Sequence, residues 1–517
     1  MRLLRQEPHP NMKQPNILLL FTDQQRHDTI AALGNPIIRT PVLDRLVREG
    51  TTFTRCYTPS PVCLPARHAL ITGMPPHATG CVDNVNPPKD RTSLMQMLKR
   101  CGYLTHGVGK MHLGGRWDRP WGFVGRDTSE EVKPGHDFRR FLDTNGFSHV
   151  IEPHGLRGEY YYLPQPSQLP ARLHETTWVA DRSIDFLRRR DKSKPFFLFS
   201  SFIKPHPPFE SPTPWNRLYR TTEMPRPHMP PDSTDTWTRI NRVQNRYKYQ
   251  DQLGANDRQL RTLRAAYYSA ISFIDYNLGR ILGALGDEIE NTLVVFSSDH
   301  GELLGDYGCF GKRSMHEASA RVPCLARLPG LFPAGERIDT AVSLLDFFPT
   351  FAGLASKAGS SPHPDGQSLL DIARDRPAGR IVTSQFQRGW MGHYLATDGR
   401  WKYVYSAPDR REWLFAVNDT GQEGPNRISD SAAQPHVRRL RESLRSRFAR
   451  DGYADGFTGK RWRKHPVKPF PSDPDYGLIV QDELTLQPCI DKLGPDYRRV
   501  VTTPDKINYR IITDHMG

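Results

Sequence analysis

Two short apolar runs, far apart in the chain, end in the same way. Residues 16–21 (NILLLF) close on Thr22-Asp23-Gln24, and residues 292–298 (TLVVFSS) close on Asp299-His300. A short, nearly continuous apolar run suits a strand covered on both faces, as in a parallel sheet. A third such run occupies 196–203 (FFLFSSFI). Helical patterns fall between them, at about 92–101, 175–190 and 259–286. Strands alternating with helices predict an α/β fold, a large and mostly parallel sheet sandwiched by helices. Ligands of open sheets bind at the carboxyl ends of the strands. Two strands that both end in aspartate therefore point to one place.

A chain of 517 residues exceeds one average domain. We divide it into a flexible N-terminus (1–15), a catalytic α/β domain (16–375), a small C-terminal α+β domain (376–456) and a tail (457–517) that wraps the body. The small domain is inferred from a change of texture. Short strands are predicted at 380–386, 392–397 and 401–406, with Thr397-Asp398-Gly399 as a turn, followed by a polar helix at about 434–450. Together they imply an antiparallel sheet. Residues 204–258 are rich in Pro, Arg, Tyr and Asn, and a weakly periodic segment of that length reads as a rim or lid over a site. Its aromatics include Trp215, Tyr219, Trp237, Tyr247 and Tyr249. Arg388, Trp390 and His393 of the small domain are also candidates to reach the cleft.

The net charge of +15 gives either a well-solvated basic surface or attraction for an anionic substrate. Lysines and arginines are scattered, and no RNP, zinc-finger or helix-turn-helix signature is present, so nucleic acid is excluded as the partner. The seven cysteines are odd in number and irregularly spaced, with no CxxC. That argues against a disulfide framework or a structural zinc, and for a reducing, cytoplasmic setting. Residues 1–15 lack an apolar core of the signal-peptide type, and no 18-residue apolar run predicts a membrane span.

The chemistry centres on Cys63. A lone free cysteine is commonly a small buried hydrophobe. Here Pro59 and Pro61 precede it, Pro65 follows, and Ala66–Thr72 reads as a helix. Cys63 then sits at a helix N-terminus, with Arg67 one turn on, and both features favour a nucleophilic thiolate. Asp23, Gln24, Asp299 and His300 form two oxygen-rich pairs at strand ends. Each aspartate alone could be a helix cap; two pairs on one sheet edge point to a hard cation. Lys110 and His112 follow a strand predicted at 103–108, His206 follows the strand at 196–203, and Lys312 lies downstream of Asp299. Each alone is an ordinary surface residue. Together they make a cationic, proton-shuttling set suited to a tetrahedral anionic ester.

Cys63-x-Pro65-x-Arg67, followed by Thr72-Gly73, resembles the signature of the type I sulfatases, within the alkaline phosphatase superfamily. The order of the other motifs is similar too: Asp23-Gln24, Gly109-Lys110-x-His112, Pro205-His206-x-Pro208, Asp299-His300-Gly301 and Gly311-Lys312. The likeness continues through Ala320-Arg321-Val322-Pro323, Asp365-Gly366-Gln367-Ser368-Leu369, Lys402-Tyr403 and Trp413-Leu414-Phe415, covering roughly 15–450.

The resemblance implies an alkaline phosphatase-like fold and hydrolysis of a sulfate monoester, carried by a carbohydrate or an aryl or alkyl group. It implies that a separate maturing enzyme oxidises Cys63 to formylglycine (3-oxoalanine), whose geminal diol, not a thiolate, is the nucleophile. A divalent cation, usually Ca²⁺ with Mg²⁺ or Mn²⁺ as alternatives, would be held by Asp23, Gln24, Asp299, His300 and an oxygen at position 63, and would acidify the attacking hydroxyl. Arg67 would orient the diol. Lys110, His206 and Lys312 would bind sulfate oxygens, with His206 or Lys312 protonating the leaving alcohol and His112 taking the proton that expels sulfate. Gln24 stands where some relatives carry Asp, and His300 where many carry Asn, which makes cation occupancy more pH-dependent. The alternative reading is a phosphonate monoester or phosphodiester hydrolase of the same superfamily. A homo-oligomer is compatible with the sequence.

Overall fold

The computed structural model describes residues 14–84, 91–114, 119–131, 135–157, 161–248, 256–356, 365–418 and 421–470. Eight strands form the main sheet: β1 (Asn16–Asp23), β2 (Thr51–Phe53), β3 (Leu104–Gly109), β4 (Gly125–Thr128), β5 (Phe196–Pro205), β6 (Thr292–Ser298), β7 (Cys324–Arg327) and β8 (Glu336–Ile338). Their order is β8-β2-β7-β6-β1-β5-β3-β4. Only β7 runs against the others. β1 lies between β5 and β6, parallel to both, with Leu19 opposite Phe199 and Val295.

All of β1 is buried. Successive side chains of a strand point to opposite faces, so both faces must be covered. Ile17, Leu19 and Phe21 join Leu94, Leu98, Phe347 and Phe351 in one core. Leu18 and Leu20 join Leu43, Trp178, Ile274 and Leu278 in the other. The first core is covered by α3 (Leu94–Arg100) and α7 (Phe347–Ala355); the second by α1 (Pro41–Glu49), α4 (Glu175–Arg189) and α6 (Asp257–Gly283). The mostly parallel, two-sided α/β fold is as the sequence indicates. Two further helices matter below: α2 (Cys63–Thr72), which carries the Cys-x-Pro-x-Arg segment, and α5 (Arg239–Tyr247).

A separate antiparallel sheet is a four-stranded meander: β9 (Val382–Phe386), β10 (His393–Thr397), β11 (Trp401–Ser406) and β12 (Arg411–Ala416). The last strand was not among those expected. Helix α8 (Gln434–Arg450) packs on one face through Leu440, Leu444 and Phe448. The other face meets the body through Phe386, Leu395 and Trp413 against Tyr57, Val62 and Met315. A buried polar clamp reinforces that contact. Lys402 Nζ donates to Met315 O (2.9 Å), pairs with Glu317 Oε1 (3.1 Å) and touches the Glu423 carboxylate. Tyr307 OH donates to Glu423 Oε2 at 2.5 Å.

Residues 457–462 form a small hairpin whose Trp462 ring stacks 4.0 Å from Tyr405 on the meander. The rest of the predicted tail, 471–517, lies outside the described residues, as do residues 1–13. No described helix is long and apolar enough to cross a membrane.

Candidate active site

The strand ends converge as their sequences suggest. Asp23 closes β1, and Asp299 follows β6 directly. A register shift between Thr22 and Asp23 marks where β1 and β5 part. Gln24 then takes a left-handed conformation, φ 71°, a strained state for a side chain other than glycine. It is pinned by three bonds. Its N–H donates to Asp299 Oδ1 (3.0 Å), its carbonyl accepts from Tyr267 OH (2.6 Å), and its Nε2 donates to Glu302. Two glycines are required by close approach. A Cβ at Gly109, which has φ +87° and precedes Lys110, would lie 2.0 Å from Ser201 O. A Cβ at Gly301 would lie 2.1 Å from Ala318 O.

Cys63 is the first residue of α2 and is 1% exposed. Its Sγ lies 2.8 Å from Lys312 Nζ, 3.2 Å from His300 Nε2 and 3.7 Å from Asp23 Oδ1, with His112 also in hydrogen-bonding reach. Burial pushes the thiol up, and Lys312, Lys110 and His300 outweigh it, so the group sits well below its ordinary range.

Arg67, fully buried, spends its fork on positioning. Nε pairs with Asp299 Oδ2 at 2.8 Å and Nη2 with Asp23 Oδ2 at 3.3 Å, while Nη1 donates to Lys110 O and Ser201 Oγ, both at 2.9 Å. The role implied by resemblance, orienting the nucleophile, is thus joined by another: Arg67 fixes the separation of the two carboxylates.

Asp23, Cys63, Asp299 and His300 each offer a donor atom within 4.8 Å of the others. His300 Nδ1 lies 3.0 Å from Gly301 O, which can only accept, so Nδ1 carries a proton; against burial, Asp299 and Cys63 raise the ring's pKa and favour a second proton on Nε2, the position a cation would take. Burial and the neighbouring Asp23 push Asp299 up, against His300 and Arg67. Asp23, despite burial and Cys63, is brought down to about 2 by Lys110, His206 and Lys312. Two close carboxylates, one already resisting ionisation, plus an imidazole nitrogen that a cation would deprotonate form a donor set that fits a divalent cation.

On the other side of Cys63 lie the cations. Lys110 Nζ is 2.6 Å from Asp23 Oδ2 and also touches Glu131. Lys312 Nζ donates to Gln24 Oε1 at 2.9 Å. His206 Nδ1 donates to Pro207 O at 2.7 Å, leaving Nε2 for a ligand. Burial lowers its pKa, with Glu131 opposing. His112 is half-buried with φ 44°, its N–H donating to Glu130 Oε1 at 3.2 Å. The structure therefore brings the predicted catalytic and cation-binding side chains together around Cys63, all of them buried except the half-buried His112.

The proposed rim residues behave differently. Trp215 packs on Phe273 and Tyr276 of α6, and Tyr219 OH bonds Ser272 Oγ at 2.6 Å. Trp237 Nε1 donates to Tyr307 O, and His393 is buried between Met391 O and Ser406 Oγ. Trp390 sits under Arg239 and Lys468, and Arg388 is exposed at the start of the short turn 389–391 that holds Trp390. Trp215, Tyr219, Trp237, Trp390 and His393 thus make packing and hydrogen-bond contacts within the protein. Tyr249 and the side chain of Tyr247 lie outside the described residues.

Three site residues escaped the sequence reading. Glu302 binds Gln24, Tyr162 OH and the N–H groups of Gly311 and Leu304. Glu131 contacts Lys110 and pairs with Arg157 Nη2 at 2.8 Å, with His206 Nδ1 3.6 Å away. Glu302 stands one residue beyond Asp299-His300-Gly301, and Glu131 lies just past the carboxyl end of β4. Position at a strand end was the available signal for Glu131; Arg157 had none.

The sulfatase family model matches residues 15–357, and the model for the C-terminal region of N-sulphoglucosamine sulphohydrolase matches 305–450. An arylsulfatase of Clostridium perfringens is 30% identical over 485 residues, covering 88% of this chain and 98% of that protein. A choline-sulfatase of Rhizobium meliloti is 28% identical, covering 87% and 90%. Among solved structures, the phosphonate monoester hydrolase of Agrobacterium radiobacter superposes with TM-score 0.72 at 25% identity, covering 84% of this chain and 96% of that one. A structure solved with its substrate D-glucosamine-2-N,6-O-disulfate superposes with TM-score 0.67 at 20% identity, covering 86% and 99%.

Proposed function

This chain belongs to the sulfatase family, and we propose that it releases sulfate from a small sulfate monoester by means of an oxidised Cys63 and a divalent cation at Asp23, Gln24, Asp299 and His300. It is a sulfuric ester hydrolase. The observation that carries the mechanism is the place of Cys63 Sγ, 2.8 Å from Lys312 and 3.7 Å from Asp23, where the cationic cradle meets the acidic pair.

When present, the cation, for which Ca²⁺ is our choice, neutralises charge on a sulfate oxygen, and formylglycine at position 63 supplies an acidified hydroxyl as nucleophile. The rest is done by the chain. Lys110, Lys312 and His206 bind the sulfate oxygens, and Arg67 holds Asp23 and Asp299 in register. The leaving oxygen takes its proton from Lys312 Nζ, or from His206 Nε2 when the ring carries a second proton, since its Nδ1–H is committed to Pro207 O and burial favours the neutral ring. His112, beside the Cys63 side chain, takes the proton whose loss expels sulfate.

The oxidation requires a separate maturing enzyme that reads Cys63-x-Pro65-x-Arg67. All the described cysteines are free, which supports the cytoplasmic setting we propose. Mass spectrometry of the 56–67 peptide, with sulfate release from 4-nitrophenyl sulfate, tests the mechanism. An unmodified thiol in fully active protein would refute it. The likeness to a phosphonate monoester hydrolase favours a second reading, phosphonate ester hydrolysis. A much faster rate on a phenyl phosphonate ester than on the aryl sulfate would establish that reading instead.

A further inference from the structure

A cavity of about 700 Å³ lies apart from this centre, and none of the candidate catalytic or cation-binding residues lines it. It is bounded by residues 33–37 and 52–55, by the start of β7, and by Arg264 and Tyr268 of α6. That volume is typical of a small-molecule site.

Its charge is one-sided. Six arginines line it, Arg26, Arg55, Arg226, Arg264, Arg321 and Arg337, against three aspartates. Two of those acids are committed to the floor. Asp28 pairs with Arg26 at 2.6 Å, and Asp306 is shared by Arg26 (2.8 Å) and Arg264. The third, Asp339, pairs at 3.1 Å with Arg400, which is not part of the lining. Of the arginines, Arg226 pairs with Asp257 at 3.1 Å and Arg321 with Glu317 at 3.5 Å, both acids outside the lining, so the six arginines and Arg400 still outnumber the five carboxylates around the opening. In addition, Arg264 Nε and His228 Nε2, both buried atoms of lining residues, have no hydrogen-bond partner among the described residues. An arginine Nε–H can only donate, and a buried donor without an acceptor is costly. An anionic oxygen would satisfy it.

We propose that this cavity is a second anion site, one that binds a sugar-sized organic molecule carrying two tetrahedral oxyanion groups. Guanidinium forks match such oxyanions in pairs. The volume is much larger than one inorganic ion needs, which is why the ligand is organic.

The floor arginines are poor test positions, because Arg26 also donates to Glu302 O and Leu303 O beside the catalytic loop. Arg226 and Arg337 are exposed, and their contacts, with Asp257 and with Ala32 O, lie at the surface, so changing them is expected to leave the fold intact. The test is calorimetric titration of the full chain with fructose 1,6-bisphosphate, using fructose and inorganic sulfate as controls. The double variant R226E/R337E is expected to lose at least about tenfold in bisphosphate affinity with sulfate release unchanged. The K312A variant, altered in the catalytic cradle, is expected to keep bisphosphate binding. Loss of binding in K312A with none in R226E/R337E would overturn the proposal, since the bisphosphate would then be using the catalytic cradle. Absence of binding to the wild type, or equal affinity for fructose or inorganic sulfate, would overturn it as well.

Discussion

Arg67 Nε lies 2.8 Å from Asp299 Oδ2, although the two residues are 232 positions apart in the chain. The same guanidinium reaches Asp23 at 3.3 Å. A lysine keeps the charge but not the planar fork. Arg67→Lys is therefore expected to fold and to bind Ca²⁺ about 10–100-fold more weakly, the cost typical of losing a residue that orients metal ligands. Calorimetric titration of the two proteins with CaCl₂ checks this; equal affinities would show that Arg67 does not set the carboxylates.

Glu302 has a comparable influence over Gln24. Its carboxylate accepts from the Gln24 amide at Oε2, and from Tyr162 OH and the N–H groups of Gly311 and Leu304 at Oε1. Glutamine in its place turns one acceptor into a donor and frees the amide of Gln24 to flip. In Glu302→Gln, kcat is expected to fall by about 10–100-fold with the thermal midpoint little changed. A variant with native kcat would leave Glu302 a purely structural group.

Removing the cation should be visible in stability as well as in rate. A ligand that binds only the native state contributes about 2.7 kcal/mol when present at a hundred times its Kd. EDTA is expected to lower the thermal midpoint, and CaCl₂ to restore it in a concentration-dependent way. A midpoint indifferent to both, read by differential scanning fluorimetry, would argue against a cation at Asp23 and Asp299.

The clamp beneath the small sheet carries a pH signature. Burial raises Glu423, but Lys402 and His316 overcome it and bring the carboxyl from its ordinary 4.5 to about 2. A folded pKa below the unfolded one contributes stability that is complete above pH 4.5 and is lost as the pH falls through about 2. Glu423→Gln is expected to flatten the stability profile across that window. It should also lower stability at pH 7 by about 3 kcal/mol, because the buried Lys402 loses its closest counter-charge. Urea unfolding of both proteins at pH 3, 5 and 7 measures it; parallel profiles would contradict the assignment.

What could be read in the sequence follows from how each feature is encoded. β1 and β6 are legible because both of their faces are buried, which leaves a continuous apolar run with a polar end. The segment Cys63–Arg67 is legible because its chemistry is local: a proline, a helix start and one cation. β2, β7 and β8 are only three or four residues long and carry no period of their own. β12 alternates, but its side chains gain meaning only from β11 beside it. Glu131 and Arg157 are joined by folding across 26 residues, and neither motif nor spacing announces that pair. The aromatics of 204–258 leave recognition and ordinary packing both open for the opposite reason. Trp and Tyr at a loop look like recognition, yet Trp215 and Tyr219 serve as packing for α6.

The span between Arg67 and Asp299 is also a clock. At synthesis rates of about 5–20 residues per second, roughly 10–50 seconds separate the emergence of the two residues from the ribosome. Until β6 is made, one edge of β1 is unpaired, and Asp299, His300 and Lys312, which close over Cys63, do not yet exist. Afterwards Cys63 is only 1% exposed. An enzyme that needed this segment as extended chain would have an interval fixed by the chain's own length, and would have to act before the fold is complete.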